Sequence, residues 1–197
     1  DRRHIQDEDV LRIKEAIHTP LNLEMAPVEE MLLIALQTKP DQVSLVPEKR
    51  QEITTEGGLD VQGQEGTLTL MRERIAQAGI KFSLFVDPER EQIEAAFRVG
   101  ARSIEINTGA FSECRTREQR APWVAKIEAA ARHAATRGLR VFAGHGLTTD
   151  NVGCIAAIPE IEELNIGHHL VSRSVFIGLE NAIREMREAM NRGAAAS

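Results

Sequence analysis

Short apolar runs alternate along the chain with longer segments in which apolar residues recur at helical spacing. The apolar runs are residues 21–26, 43–47, 80–86, 103–106, 139–143 and 164–166. Helical periodicity is found over residues 6–18 and 28–37, before residue 78, and over residues 87–100, 120–137, 148–158 and 176–191. This alternation is typical of βαβ units with a parallel sheet. The pattern predicts six strand–helix units preceded by one helix.

The fold class that follows is α/β, and polar residues at the ends of most strands favour a barrel. A closed TIM (β/α)8 barrel needs eight strands and typically about 250 residues, whereas this chain has 197. We therefore expect a TIM barrel with extra helices, of which strands 3 to 8 are represented. Residues 1–197 would be a single domain, N-terminally incomplete. An open doubly wound sheet is the alternative, but G-x-G-x-x-G is absent.

The composition of the chain indicates which kinds of partner and which cellular compartment to expect for the protein. The net charge is −6, so there is no basic footprint for nucleic acid. The apolar runs are too short for a membrane span, and residues 1–4 do not resemble a signal peptide. With only two cysteines, a disulfide framework is not expected and a reducing cytoplasm is the default.

Candidate chemistry lies at the ends of the predicted strands, because the carboxyl ends of barrel strands carry the active site. Glu24 and Glu105 occupy otherwise apolar strands, where burial would raise a carboxyl pKa towards that of a general base. The alternative for Glu24 is a structural carboxylate paired with an arginine. His145 follows a strand and stands between two glycines, which suits a mobile proton carrier.

Glycines after the last two strands indicate a phosphate site. Gly146 and Gly167 can offer backbone N–H groups where barrels often bind phosphate, although two plain glycine turns would show the same pattern. The polar stretch 48–63 is either a substrate loop or a solvated surface loop. The histidines show no recognisable metal spacing. No lysine ends a strand, so a Schiff-base aldolase is disfavoured.

Several longer motifs carry a resemblance to a known family. The segments LNLEMA, LVPEKRQEITTEGGLDV, SLFVDP, IEINTGAF, AGHGL and NIGHHLVSRSVFIGLENAIREM resemble those of the pyridoxine 5′-phosphate synthase family, in order and at the expected spacing. The resemblance implies a TIM barrel that assembles into an octamer. It implies condensation of 1-deoxy-D-xylulose 5-phosphate with 3-amino-2-oxopropyl phosphate to give pyridoxine 5′-phosphate, phosphate and water, with no metal or organic cofactor.

The resemblance also implies roles for individual residues. Glu24 matches a general base, His145 a proton donor and Glu105 a glutamate that stabilises charged intermediates. The remaining matched residues bind the substrates: Gly146, Gly167 and His168 the aminoketone phosphate, and His4 and Thr54 the deoxyxylulose phosphate. Of these, His4 and Thr54 have no support from the residue pattern alone.

The sequence departs from the family pattern at specific places. Asn107 stands where the family usually has histidine, and an amide cannot titrate near neutral pH. The chain opens at DRRH, so family motifs that precede this segment, including a further catalytic histidine, are not in the sequence. Two alternatives stay open: another phosphate-binding barrel isomerase or lyase, and an inactive or assembly-only truncated barrel.

Overall fold

A single parallel sheet forms the centre of the protein in a computed structural model, which describes residues 5–47 and 57–194. Its strands are β1 (Asn22–Met25), β2 (Gln42–Leu45), β3 (Lys81–Val86), β4 (Ser103–Asn107), β5 (Arg140–Gly144) and β6 (Ile161–Asn165). They lie side by side in chain order, and every neighbouring pair is parallel. This is the arrangement of consecutive strands in a β/α barrel. The predicted fold class is confirmed.

Helices connect the strands and cover one face of the sheet. They are α1 (Asp7–Ala16), α2 (Glu29–Thr38), α3 (Glu65–Gln77), α4 (Arg90–Val99), α5 (Gly109–Ser112), α6 (Arg117–Thr136), α7 (Val152–Ala156), α8 (His168–Ile177) and α9 (Leu179–Ala194), with a 3-10 turn at Gln62–Gln64. Contacts join α3 and α4 to β3, and α6 to β4 and β5. Within the described ranges, no helix is long and apolar enough to cross a bilayer.

The two faces of the sheet differ in polarity, because side chains alternate along each strand. On β4, Ile104 and Ile106 are buried in the apolar core beneath the helices. Glu105, which lies between them, and Asn107, which follows Ile106, point to the opposite face. The parallel register extends this polar face across the sheet, so that the functional side chains of different strands share it.

The boundaries of α4 and of the 107–118 region differ from the sequence prediction. Helical periodicity begins at residue 87 in the sequence, but α4 begins at Arg90 after Glu89. Asp87 instead accepts hydrogen bonds from another segment, described below. The predicted loop after β4 contains the short helix α5, which is too brief for periodicity to reveal.

The helices near the C-terminus also differ from the sequence prediction. The helix predicted over residues 148–158 is limited to α7 and follows Asn151. The helix predicted over residues 176–191 corresponds to α9, whereas α8, which is separated from α9 by Gly178 at φ 80°, was not predicted. A residue with positive φ interrupts helical hydrogen bonding, and the apolar residues on both sides of Gly178 hid the break.

Candidate active site

Three predicted site residues, Glu24, Glu105 and His145, come from strands β1, β4 and the end of β5. They influence one another electrostatically. The charge of Glu24 raises the pKa of Glu105, and the charge of His145 acts to lower the pKa of Glu24. The fold therefore brings together two carboxyls and an imidazole that are far apart in sequence. Groups of these types are the usual residues of general acid–base catalysis.

Glu105 is the most strongly perturbed carboxyl of the three. Its residue is 4% exposed. Desolvation, together with the negative charges of Glu24 and Glu163, raises its pKa to about 7, while a hydrogen bond from Asn165 acts in the opposite direction. A carboxyl with a pKa near neutrality is divided between its two protonation states at pH 7, which suits a group that responds to changes of charge on a bound intermediate.

The side chain of Glu24 is exposed to solvent, and its pKa is raised. It lies on β1, at one edge of the described sheet, and its side chain remains accessible. Enough protein nevertheless surrounds the carboxyl that desolvation raises its pKa above the usual value, and His145 only partly offsets this. An accessible carboxylate with raised basicity fits the base predicted from sequence. For the structural alternative, no arginine of residues 5–47 and 57–194 is among the causes of its pKa shift.

Glu105 passes over Gly144 of the neighbouring strand. Its Oε2 accepts a hydrogen bond of 2.6 Å from Nδ2 of Asn165 on β6. Gly144 lies between these two residues, and a Cβ atom there would overlap Oε1 of Glu105. Glycine is therefore required at position 144 by the path of the glutamate side chain.

His145 has an unusual backbone conformation, with φ 86°. A non-glycine residue at positive φ is strained, and such strain often occurs at functional sites. The carbonyl oxygen of His145 accepts hydrogen bonds from Oγ1 of Thr108 at 2.7 Å and from Oγ of Ser112 at 3.1 Å. The ring of Phe85 lies 6.3 Å from the imidazole, centroid to centroid. Residues from two other strand ends thus hold the turn in place.

Gly146 completes this turn at φ 72°, a conformation that favours glycine. An added Cβ atom would lie 2.6 Å from Cβ of Ser112. Beside the turn is a cavity of about 470 Å³, whose walls include Asp87, Asn107, Ser112, Trp123, His145 and Gly146. That volume is in the range of small-molecule sites.

Asn107 has a structural role that the sequence did not suggest. Its Nδ2 donates to Oδ1 of Asp87 at 2.9 Å, and its Oδ1 accepts from the amide of Gly109, also at 2.9 Å. The same Asp87 oxygen accepts from the amide of Gly58. These bonds join the ends of β3 and β4 to the segment that follows residue 56. In the sequence Asp87 is only the first residue of a DP dipeptide directly after a strand, and nothing local indicates these partners.

The predicted phosphate-binding glycines follow neighbouring strands. Gly146 comes after β5, and Gly167 precedes α8 after β6, with nothing within 4 Å of the position that its Cβ would occupy. His168 is the exposed first residue of α8. Their role in binding phosphate stays a prediction. His4 and Thr54 lie outside the described residues.

Comparisons with known proteins decide the family. A model of the family described as "Pyridoxal phosphate biosynthesis protein PdxJ" matches residues 1–192. The chain belongs to this family. It is 54% identical over 190 residues to "Pyridoxine 5'-phosphate synthase" of a Synechococcus strain, covering 96% of this chain and 80% of that protein. It is 52% identical over 190 residues to the protein of the same name from Aliivibrio fischeri, covering 96% and 78%. The family predicted from the motifs is confirmed.

Solved structures with little sequence similarity share the fold of this PdxJ family member. The 3-keto-L-gulonate-6-phosphate decarboxylase of Vibrio cholerae has a TM-score of 0.66 at 10% identity, covering 97% of this chain and 81% of that one. The YdjI aldolase of Escherichia coli K12 has a TM-score of 0.53 at 13% identity, covering 96% and 72%. At such identities the likeness concerns the fold alone.

Proposed function

We propose that this chain catalyses the reaction of a pyridoxine 5′-phosphate synthase, the ring-closing condensation of 1-deoxy-D-xylulose 5-phosphate with 3-amino-2-oxopropyl phosphate. The observation that carries the proposal is the convergence of Glu24, Glu105 and His145 in a member of the PdxJ family. The reaction needs repeated proton transfers near neutral pH, and a base, an acid and a buried carboxyl of raised pKa supply them.

The first chemical step joins the two substrates to each other. The amine of the aminoketone phosphate attacks the ketone of the sugar phosphate. The resulting carbinolamine loses water to give an imine, so no protein amine enters a covalent bond. Glu24 takes protons from the carbon and nitrogen atoms that must become nucleophilic, and His145 donates protons to the departing oxygens. Inorganic phosphate and water leave, and the aromatic pyridine ring makes the sequence effectively irreversible.

Glu105 stabilises the intermediates through its charge. Its carboxyl has a pKa of about 7, and a positive charge on a nearby imine nitrogen would favour the ionised form. Proton loss from Glu105 at that moment places a negative charge beside the developing positive one. The group therefore adjusts its charge to the intermediate without moving.

The two phosphate groups would be held at different places. We assign the phosphate of the aminoketone to the turn at Gly146 and to Gly167 and His168 at the start of α8, where the first backbone amides of a helix have no partner within the helix. We assign the phosphate of the sugar to His4 and Thr54, on the strength of the family motifs.

Assembly and location are further parts of the proposal. We infer a homo-octamer in the cytoplasm, as the motif resemblance implies. In support, Val171, Val175 and Phe176 on α8 are exposed by 64%, 79% and 82% in a single chain, and exposed apolar patches are typical of protein interfaces. Light scattering after size-exclusion chromatography measures the mass of the particle, and a monomer would contradict the octamer.

Turnover of the two phosphates tests the function directly. The enzyme expressed from its complete coding sequence is incubated with both substrates, and pyridoxine 5′-phosphate is detected by its absorbance after chromatography. We expect product from the wild type, and a loss of about 100-fold or more in Glu24→Gln and His145→Asn. A wild type that makes no product contradicts the proposal. A protein–substrate adduct trapped by borohydride would instead indicate a Schiff-base barrel enzyme.

A further inference from the structure

Asn165 lies at the end of β6, one strand beyond the turn that carries His145. It pairs in register with Gly144 of β5, while Glu105 of β4 pairs with Phe142. The hydrogen bond from Asn165 Nδ2 to Glu105 Oε2, at 2.6 Å, therefore spans a complete strand. It is short for an N–H···O bond.

The path between the two side chains depends on Gly144. A Cβ atom at that position would overlap Oε1 of Glu105 and would lie 2.9 Å from the carbonyl oxygen of Asn165. Because Gly144 has no side chain, the Glu105 side chain can lie across β5 at this position. The carboxyl is therefore confined on one side by β5 and anchored at its tip by the amide.

The charges around Glu105 show how the Asn165 amide affects its ionisation. Glu105 experiences two other carboxylates, Glu24 from β1 and Glu163 from β6, and both oppose its ionisation. Asn165 is the neighbour that favours the ionised form. The charge of His145 acts on Glu24. Asn165 thus affects both the direction and the acidity of the carboxyl.

We propose that Asn165 is a positioning residue for Glu105, and that its amide holds the carboxyl across β5 in the orientation in which it stabilises the reaction intermediates. The inference rests on the proposed function for the role of Glu105. Asn165 acts through the glutamate, because a carboxyl fixed in one rotamer loses less entropy on meeting a charged intermediate than one that must first be oriented.

A titration without substrate is the first test. Glutamate labelled with ¹³C at the carboxyl carbon is incorporated, and the Glu105 signal is assigned by its absence in Glu105→Gln. Replacement of the amide in Asn165→Leu should raise the pKa of Glu105 by about one unit, because the ionised form loses its donor. Asn165→Gln keeps a donor on a longer arm and should give a smaller rise. Asn181→Leu, an exposed amide on α9, should leave the signal unchanged.

The kinetic test uses a double-mutant cycle. We expect Asn165→Leu to lower kcat about 10-fold with a smaller change in KM, and to have less than about a 2-fold effect when Glu105 is already Gln. A cooperative thermal transition in each variant shows that it is folded. If the leucine variant fails to fold, the glutamine variant answers the same question in both assays.

The outcomes separate the two ideas. An unchanged Glu105 titration in folded Asn165 variants, or an equal fall in kcat with and without the Glu105 carboxyl, overturns the positioning role. If the titration shifts as expected while the wild type forms no pyridoxine 5′-phosphate, the proposed function fails and the contact between Asn165 and Glu105 stands.

Discussion

The hydroxyl oxygen of Thr108 lies 2.7 Å from the carbonyl oxygen of His145, whose φ of 86° is unfavourable for a side-chain-bearing residue. The same hydroxyl is 2.7 Å from the carbonyl oxygen of Gly144, and the Thr108 amide donates to that carbonyl at 2.8 Å. One residue at the end of β4 therefore holds two consecutive peptides at the end of β5. This contact stabilises the strained turn that presents the imidazole.

Replacement of Thr108 by valine removes the hydroxyl with little change in shape. We expect Thr108→Val to lower the free energy of unfolding by about 1–2 kcal/mol, because buried carbonyl oxygens lose a donor. We expect kcat to fall about 10-fold as the His145 turn relaxes. Urea unfolding and turnover measure the two effects. Thr108→Ser keeps the hydroxyl and should resemble the wild type; equal stability and kcat in the valine variant would contradict this account.

The ionisation of Glu105 should make stability depend on pH. Its pKa is about 7 in the folded protein against 4.5 for an ordinary glutamate, so the native state binds more protons between these values. The protein therefore loses stability as the pH rises from about 4.5 to 7, by on the order of 3 kcal/mol. Glu105→Gln mimics the protonated form and should be more stable than the wild type at pH 8 but not at pH 5.

Chemical denaturation at the two pH values checks this. The comparison is the difference in unfolding free energy between wild type and variant, in which the titration of all other groups largely cancels. Glu128→Gln, on the exposed face of α6, is a control that should change stability by less than about 0.5 kcal/mol at either pH. A Glu105→Gln effect that does not grow with pH would be evidence against a raised pKa.

Gly144 is expected to tolerate no side chain. In Gly144→Ala the new methyl group overlaps the Glu105 carboxyl, and it would also lie 2.9 Å from the backbone carbonyl oxygen of Asn165 on β6, which cannot readily withdraw. We expect a loss of about 2 kcal/mol or more in unfolding free energy and a large fall in kcat. Thermal unfolding and turnover are the measurements.

Gly66 provides the matched control for that substitution. It lies in α3 with nothing within 4 Å of its Cβ position. Gly66→Ala should stabilise the protein by about 0.5–1 kcal/mol through helix propensity. If alanine at 144 were as well tolerated as at 66, the glutamate would take a different path.

Asp87 is predicted to anchor the segment that begins at Gly57. Its Oδ1 accepts from the amide of Gly58 and from Asn107. In Asp87→Ala the Gly58 amide loses its acceptor, so we expect its hydrogen exchange to accelerate about 10-fold or more. Asp87→Asn can keep an oxygen in the same place and should protect the amide in part. Exchange read by NMR decides this, and an unchanged rate in the alanine variant would count against the anchor.

The pattern of the sequence was sufficient for the framework of the fold. Strands and helices alternate because each element carries its own periodicity, and this local signal located all six described strands. The sequence pattern failed to give helix boundaries where a helix was very short, or where apolar residues ran without a break from one helix into the next. The four-residue α5 spans barely one turn, and the apolar residues around Gly178 continue from α8 into α9. In both places, tertiary packing rather than local preference defines the boundary.

Some residues of the candidate site could likewise be predicted from the sequence, and others could not. Glu24, Glu105 and His145 were predicted as site residues from the sequence, since a charged or titratable residue in or beside an apolar strand is costly unless it has a use. Asp87 and Thr108 were not, because they resemble ordinary turn residues. Their partners lie about 20 to 37 positions away in the chain, and no local pattern records such pairings.

The sequence by itself determined a β/α barrel of the pyridoxine 5′-phosphate synthase family with two carboxyls and a histidine at its strand ends. Only the tertiary structure decided how these groups influence one another. Burial and neighbouring charge raised the pKa of Glu105, and the parallel register placed Gly144 beneath it and Asn165 within hydrogen-bonding distance. Acidity and orientation depend on atoms brought together from separate strands, and that proximity exists only after the sheet has formed.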